Sequence, residues 1–102
     1  MAFIIAGFHF EGGFLTPDEI QDSPGVYLVF SKMDSADVFL DVGESGGVCS
    51  RLKNHERATC WQRHKNGAIY YAVHYTPSMQ QSGRMRIEKE LRDHLRPTCG
   101  DH

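Results

Sequence analysis

The feature that most constrains this chain is a pair of apolar runs in residues 23–45, SPGVYLVFSKMDSADVFLDVGES. Runs of β-branched and aromatic residues on either side of a polar connection are typical of an antiparallel β-hairpin. We expect the first strand to be GVYLVF and its partner to span about 37–42, with residues 33–36 as the connection. Tyr27, in mid-strand, would by default be a core aromatic residue, whereas Asp41 places a carboxylate at the end of an apolar strand.

The rest of the chain predicts a mixture of strands and helices. We expect a strand over 2–10, a short helix at 16–19, a helix over 48–58, a strand over 67–76 and a helix over 84–95. Prolines at the start or just beyond these segments, and apolar residues at helical spacing, support the bounds. The pattern indicates a single α+β domain over residues 1–102, with a small central antiparallel sheet of three or four strands flanked by helices.

Charge is distributed unevenly along the chain. The formal net charge is −2, but residues 1–50 hold eight acidic residues and one lysine, whereas residues 51–102 hold ten basic and five acidic residues. Five bases lie within 51–65, namely Arg51, Lys53, Arg57, Arg63 and Lys65. A local basic patch of this kind binds phosphates whatever the total charge, so it predicts a nucleic-acid partner. A solvated helix face would give the same pattern.

Three cysteines, Cys49, Cys60 and Cys99, form no Cys-x-x-Cys pair. Their odd number argues against a secreted disulfide framework and favours a cytoplasmic protein with unpaired thiols. Cys60 and His64 have helical spacing for two zinc ligands, but no second pair stands at a conventional distance. The chain also has no apolar run long enough for a membrane helix, so we expect no membrane partner.

The last predicted helix carries a carboxylate on its inward side. Positions 84, 88, 91 and 95 share one face, and the leucines at 91 and 95 indicate that this face is at least partly buried. Glu88 therefore needs a cation. Arg84 or Arg92, four residues away on either side, could supply it through a helix salt bridge; a divalent metal such as Mg²⁺ could also do so.

Arg51 and His55 are four residues apart in the middle helix and are expected to project together. A guanidinium fork matches the geometry of a phosphate, and an imidazole exchanges protons near neutral pH. Without further residues, such a pair is equally an ordinary surface feature.

Taken together, these motifs resemble the GIY-YIG nuclease family. Gly25-Val26-Tyr27 stands at the GIY tripeptide and Asp41-Val42-Gly43 at YIG, with Arg51 ten residues beyond Asp41 and His55 four residues further. Glu88 lies in IEKEL on a late helix, and PTCG (97–100) takes the place of a terminal Pro-x-x-Asn. The resemblance covers about residues 23–100. It differs from the pattern at Asp41, where the family has a tyrosine, and at Gly100, where it has an asparagine.

The resemblance implies hydrolysis of phosphodiester bonds in nucleic acid, DNA more than RNA, with one divalent metal, Mg²⁺ or Mn²⁺. Glu88 would ligate the metal, Arg51 would hold the scissile phosphate, Tyr27 would orient or deprotonate the attacking water, and His55 would support proton transfer. Asp41 would be a substitute base or second ligand, or would repel phosphate and leave a binding module.

Lys53, Arg57, Arg63 and Lys65 would follow the nucleic-acid backbone. Because family members often carry a separate targeting domain, for which this chain has no room, a homodimer or a partner protein is expected to supply targeting. Two other functions stay open. One is a catalytically impaired module that binds nucleic acid or protein, and the other is a small structural domain in which Glu88 is closed off by an arginine.

Overall fold

The computed structural model describes residues 2–33 and 36–100, which form an α+β fold. The strands are β1 (Ala2–Ile5), β2 (Phe8–Phe14), β3 (Gly25–Met33), β4 (Ala36–Ser45) and β5 (Ile69–Tyr75). The helices are α1 (Val48–Lys53), α2 (Ala58–His64) and α3 (Gln81–Leu95), with a 3₁₀ turn at Pro17–Glu19. Among the described residues, no helix combines the length and the apolar composition needed to cross a membrane.

The strands form one antiparallel sheet in the order β1-β2-β5-β3-β4. β5 is central, and β3 lies between β5 and β4, so the predicted hairpin provides one edge of the sheet. Its register sets Tyr27 opposite Gly43 and Val29 opposite Asp41, with an irregularity directly after Val29. The two tripeptides therefore meet at one pair only, Tyr27 opposite Gly43.

Helices cover both faces of the sheet because β3 is apolar on both faces. Tyr27 and Val29 point to the face where Val48, Leu52 and Trp61 of α1 and α2 complete one hydrophobic cluster. Val26, Leu28 and Phe30 point to the other face, where α3 contributes its buried residues Ile87 and Leu91. The core is divided in this way because successive side chains of an extended strand point to opposite faces of the sheet.

The sheet has five strands, not the three or four expected. The predicted strand over 2–10 is instead a hairpin, because the chain reverses at Ala6 and Gly7, both of which have positive φ, and β2 continues to Phe14. The short helix expected at 16–19 is the 3₁₀ turn Pro17–Glu19. Of the predicted hairpin connection, Asp34 and Ser35 lie outside the described residues.

The single helix predicted over 48–58 was wrong, because the chain forms two short helices with a break at 54–57. Asn54 ends α1 with non-helical backbone angles, and the backbone N–H of Ala58 bonds to the carbonyl of His55. The break turns His55 into the core, where its side chain is fully buried. Helix α3 begins at Gln81, three residues before the predicted start, and its last residue is Leu95. Arg96, the C-cap directly before Pro97, has left-handed backbone angles.

Cys60 and Cys99 form a disulfide, so the prediction of unpaired cysteines was wrong for these two. Cys49 is a free thiol. The backbone N–H of Cys99 bonds to the carbonyl of Leu40, which lays the segment after α3 along the outer edge of β4. That edge also lies against α2, which carries Cys60. Residues 39 positions apart in sequence therefore meet through tertiary packing, which their spacing does not reveal.

Gly43 makes the close approach of Tyr27 possible. A Cβ on Gly43 would overlap both the hydroxyl group and the ring of Tyr27. The glycine of the second tripeptide is therefore needed because the tyrosine of the first tripeptide lies directly across it.

We predict that Gly43→Ala lowers the free energy of unfolding by about 2–3 kcal/mol, because the added methyl group forces Tyr27 or β4 to move. Gly46→Ala is the matched control, since a Cβ there would meet only Arg84 Nη2 at 3.9 Å; its effect should be within about 0.5 kcal/mol. Urea denaturation of both variants measures the difference. Equal stability of the two variants would contradict the packing described here.

Candidate active site

The centre of the candidate site is a buried pair formed by Tyr27 of β3 and His55 of the α1–α2 connection. Tyr27 Oη lies 2.7 Å from His55 Nε2, and the rings meet edge to face with their centroids 5.8 Å apart. Trp61 packs on the other side of the imidazole, with centroids 4.7 Å apart. Two residues predicted from separate motifs are thus in direct contact.

The hydrogen bonds of His55 define its tautomer. Its Nδ1 accepts the backbone N–H of Arg57 at 3.1 Å, so Nδ1 carries no proton. Burial, together with the charges of Arg51 and Arg57, lowers the pKa of His55 to about 4. The neutral ring therefore has its proton on Nε2 and donates it to Tyr27 Oη.

Tyr27 keeps its own proton at neutral pH. Burial and, next, the negative charge of Asp41 raise the pKa of Tyr27 well above its usual value, against smaller opposing effects of Arg51 and Arg57. The charge of Glu88 also raises this pKa, so Glu88 lies within electrostatic range of Tyr27. Because Oη accepts from His55, the hydroxyl proton of Tyr27 is directed away from His55.

Arg51, at the end of α1, faces this pair and interacts electrostatically with Tyr27. Its guanidinium Nη2 donates to Glu56 Oε1 at 2.8 Å, and its side chain is 34% exposed. Arg51 and His55 are brought together as predicted, although the helix expected to carry both ends between them. The guanidinium therefore lies where solvent can reach it, at the entrance to the buried pair.

Asp41 is completely buried and accepts hydrogen bonds from both sides of the sheet edge. Its Oδ2 accepts Arg57 Nε at 2.7 Å and Trp61 Nε1 at 2.9 Å. Its Oδ1 accepts Arg92 Nη2 at 2.8 Å and the backbone N–H of Val42. A buried carboxylate with this many donors joins elements together, and both of its oxygens are already occupied.

Arg92, from α3, links Asp41 to Glu88. Besides Asp41 it donates to Glu88 Oε2 through Nε at 3.1 Å and to the carbonyl of Val42. Gly100 leaves room for this guanidinium, because a Cβ there would lie 2.7 Å from Arg92 Nη1. The two positions at which the sequence departs from the GIY-YIG pattern, Asp41 and Gly100, thus both adjoin the same arginine.

Glu88 is the residue predicted to ligate the metal, with Asp41 as a possible second ligand; both oxygens of Asp41 accept hydrogen bonds from arginine, tryptophan and backbone donors instead. The Glu88 side chain is 25% exposed in an open hollow of about 950 Å³, which is lined, among the described residues, only by α3 and its C-terminal end and by none of Tyr27, Arg51 and His55. Within residues 2–33 and 36–100, Arg92 is the only side chain bonded to its carboxylate, and it uses one oxygen. No three His, Cys, Asp or Glu side chains in the same ranges are grouped to hold a metal. A cation there would need water and phosphate oxygens as its other ligands, which is common for Mg²⁺.

Of the two arginines considered as partners of Glu88, Arg92 is the one that binds it. Arg84 instead pairs with Glu44, its Nε lying 2.8 Å from Oε2, and both side chains are nearly buried. This pair fixes the start of α3 to the end of β4.

The basic residues expected to follow a nucleic-acid backbone divide into two groups. Lys53 pairs with Asp18 at 2.5 Å, and Arg57 pairs with Asp41, so both take part in structural contacts. Arg63 and Lys65, at the end of α2, are exposed. A zinc site at Cys60 and His64 is excluded in this structure, since Cys60 is in the disulfide.

Sequence reasoning missed Trp61, Glu56 as a partner of Arg51, and the contact of Arg92 with Asp41, although it named Arg92 as a possible partner of Glu88. One signal was available. Asp41 stands in the apolar run VFLDVG, and a carboxylate in a buried strand requires cationic or N–H donors. The identity of those donors depends on how α2 and α3 pack against β4.

No protein-family model, curated protein or solved structure matches this chain in the comparisons made. The arrangement is therefore interpreted from its own geometry.

We predict that His55 makes stability depend on pH in the acidic range. The unfolded chain takes up this proton near pH 6.5, the folded chain only near pH 4. The contribution of the neutral ring is therefore complete above pH 6.5 and is lost as the pH falls toward 4, by about 2–3 kcal/mol in total. Urea denaturation over this range should show a steeper loss for the wild type than for His55→Gln. Parallel profiles would contradict the pKa shift.

We predict that Asp41→Asn lowers the free energy of unfolding by about 3 kcal/mol. The amide removes the charge that balances Arg57 and Arg92, and its N–H groups point at groups that are themselves donors. Asp37→Asn on the same strand is the control, because Asp37 is exposed, and its effect should be within about 0.5 kcal/mol. Thermal and urea unfolding measure both; similar values would show that Asp41 does not connect these elements.

Proposed function

We propose that this protein is a divalent-metal-dependent endonuclease of GIY-YIG type, hydrolysing phosphodiester bonds in nucleic acid. The observation that carries the proposal is the buried Tyr27–His55 pair, with the partly exposed guanidinium of Arg51 beside it; Glu88 joins this set through the resemblance. The β3–β4 hairpin and the flanking helices also agree with the small antiparallel sheet that the resemblance implies.

Arg51 is the group best suited to bind the substrate phosphate. Its guanidinium offers parallel N–H donors and a permanent charge, which favour the additional negative charge of a phosphoryl transition state. In the reaction a water oxygen attacks phosphorus and the bond from phosphorus to the leaving oxygen breaks; the proton that the water loses passes to solvent, and the leaving oxygen takes up a proton from solvent. Arg51 would hold a non-bridging oxygen while this occurs.

Tyr27 is assigned the role of orienting the attacking water. Two roles follow from the resemblance, orientation and deprotonation. Orientation is favoured because burial keeps the phenol protonated and because Nε2 of His55 already carries a proton, so it cannot accept one from Tyr27. His55 would hold the Tyr27 hydroxyl in place by donating to Oη, and Asp41 would act through Arg57 and Arg92 as a positioning residue.

Glu88 would hold Mg²⁺ or Mn²⁺ through its carboxylate, which is partly exposed and accepts Arg92 Nε at Oε2. The metal, when bound, would neutralise charge on the phosphate and on the leaving oxygen. Arg92 would keep the Glu88 side chain directed toward the sheet edge.

The proposal includes DNA as the preferred partner over RNA, a homodimer or partner protein for targeting, and a cytoplasmic location. Because Cys60 and Cys99 form a disulfide, the cysteines do not support a cytoplasmic location. That location follows only from nucleic acid as the proposed substrate. Exposed Arg63 and Lys65 provide charge for backbone contacts beside the site. Light scattering with DNA tests the oligomer: a monomer that binds DNA tightly would contradict a required partner.

A catalytically impaired binding module is the second candidate. Two residues with proposed catalytic roles already form ion pairs within the protein, which favours this candidate. Glu88 pairs with Arg92, and Arg51 pairs with Glu56. The binding module keeps the basic surface and needs no metal at Glu88.

We predict that the protein nicks plasmid DNA in the presence of Mg²⁺ or Mn²⁺ and is inactive in chelator. Glu88→Gln should lower the cleavage rate at least about 100-fold, because the neutral amide is a poor metal ligand. Glu90→Gln is the matched control: it lies on the same helix, is exposed, and should cleave at the wild-type rate. Gel analysis of plasmid and of labelled single-stranded RNA gives the rates.

Cleavage that persists in chelator, or in Glu88→Gln at the wild-type rate, would overturn the proposed mechanism. A protein that cleaves neither substrate but shifts DNA in a salt-dependent manner would be the binding module. Absence of both cleavage and binding would favour a structural domain.

A further inference from the structure

Glu56, in the connection between α1 and α2, places a carboxylate among three groups of the candidate active site. Its Oε1 lies 2.8 Å from Arg51 Nη2 and 3.8 Å from Arg57 Nη1. Its Oε2 lies 3.9 Å from His55 Nδ1. None of the roles described above uses this residue.

The position of Oε1 between two guanidinium groups is that of an oxyanion in a binding site. Arginine pairs of this kind bind carboxylate and phosphate oxygens alike, because both offer in-plane lone pairs and negative charge. Arg57 is fixed from behind, since its Nε donates to the buried carboxylate of Asp41 at 2.7 Å. Its Nη1 is thereby directed toward the space that the Glu56 carboxylate fills.

We propose that the Glu56 carboxylate occupies a phosphate-binding site formed by Arg51 and Arg57, and that a phosphate group of the substrate displaces it on binding. The inference rests on the proposed function in taking a phosphodiester as the ligand. It extends that function by adding Arg57 to the phosphate site and by giving the free protein an internal competitor for its substrate.

The contact is suited to exchange. The Glu56 side chain is 61% exposed and that of Arg51 34%, and ion pairs at such exposure are weak because water solvates both charges well. Glu56 can thus turn into solvent without leaving a buried charge. The hydrogen bond from Arg51 lowers the pKa of Glu56 to about 2, so the carboxylate is ionised, and competes, throughout the neutral range.

Displacement would also favour anionic ligands. A neutral ligand cannot replace the carboxylate without leaving Arg51 without a counter-charge, whereas a phosphodiester substitutes one anion for another. Glu56 therefore weakens the binding of uncharged ligands, which cannot replace its charge beside Arg51. It also lowers the affinity for phosphate, because carboxylate and phosphate compete for the same guanidinium groups.

The test is DNA binding in chelator, where cleavage plays no part. Fluorescence anisotropy with a short labelled DNA duplex should show a Kd about two- to fivefold lower for Glu56→Gln than for the wild type. Glu11→Gln is the charge-matched control, because Glu11 is exposed on β2, which β5 separates from β3; its Kd should not change. In an Arg51→Gln background the gain from Glu56→Gln should disappear. Inorganic phosphate should compete with the duplex at lower concentration in Glu56→Gln.

Several results would overturn the inference. One is a Kd for Glu56→Gln that equals or exceeds that of the wild type, and another is an equal fall in Kd for Glu11→Gln. The inference would also fail if Glu56→Gln still lowered the Kd in the Arg51→Gln background, or if no variant bound DNA. Circular dichroism checks that Glu56→Gln is folded. The gain in binding is independent of the plasmid assay, so a protein that shows the gain but never cleaves DNA would refute the nuclease and keep the phosphate site.

Discussion

A buried carboxylate at the edge of the sheet connects the two helical faces of this protein. Asp41 of β4 accepts Arg57 and Trp61 from the side of α1 and α2, and Arg92 from α3 on the opposite side. Removing such a charge from water is unfavourable unless donors surround it, and here both oxygens are satisfied. The break between α1 and α2, the position of α3 and the placement of Glu88 all depend on this contact.

The same contact explains how the sequence departs from the pattern it resembles. A tyrosine at position 41 would not balance two arginines, and an asparagine at position 100 would project toward the Arg92 guanidinium. Asp41 and Arg92 form an ion pair, and Gly100 leaves room for the guanidinium of Arg92. The three residues therefore belong to one structural feature. The buried pair of Tyr27 and His55 lies beside it, and the partly exposed charges of Arg51 and Glu56 lie toward solvent.

Much of the fold could be predicted because its signals are local. The β3–β4 hairpin, β5 and α3 follow from β-branched runs, turn residues and prolines near their ends, and each was predicted within a few residues. The reversal at Ala6 and Gly7 was missed because the apolar residues of 2–10 match a single strand, although Gly7 inside that run is compatible with a turn. The helix break at 54–57 was missed because helical spacing of Arg51 and His55 satisfies a continuous helix equally well.

The sequence by itself determined that β3 pairs with β4 and that β3, β5 and α3 are largely apolar. Through the resemblance it also made Tyr27, Arg51, His55 and Glu88 candidates for one site. It did not determine the pairings of β1 with β2, β2 with β5 or β3 with β5. Apolar periodicity and the spacing of motifs can be seen in the order of residues along the chain, because they do not depend on how the helices and strands pack. Only the tertiary structure decided that Asp41 is a structural carboxylate, that Arg92 is its partner, that Cys60 joins Cys99, and that Glu56 lies on Arg51. Each of these depends on the approach of side chains from different elements at the edge of β4, where a shift of a few ångströms would change every partner.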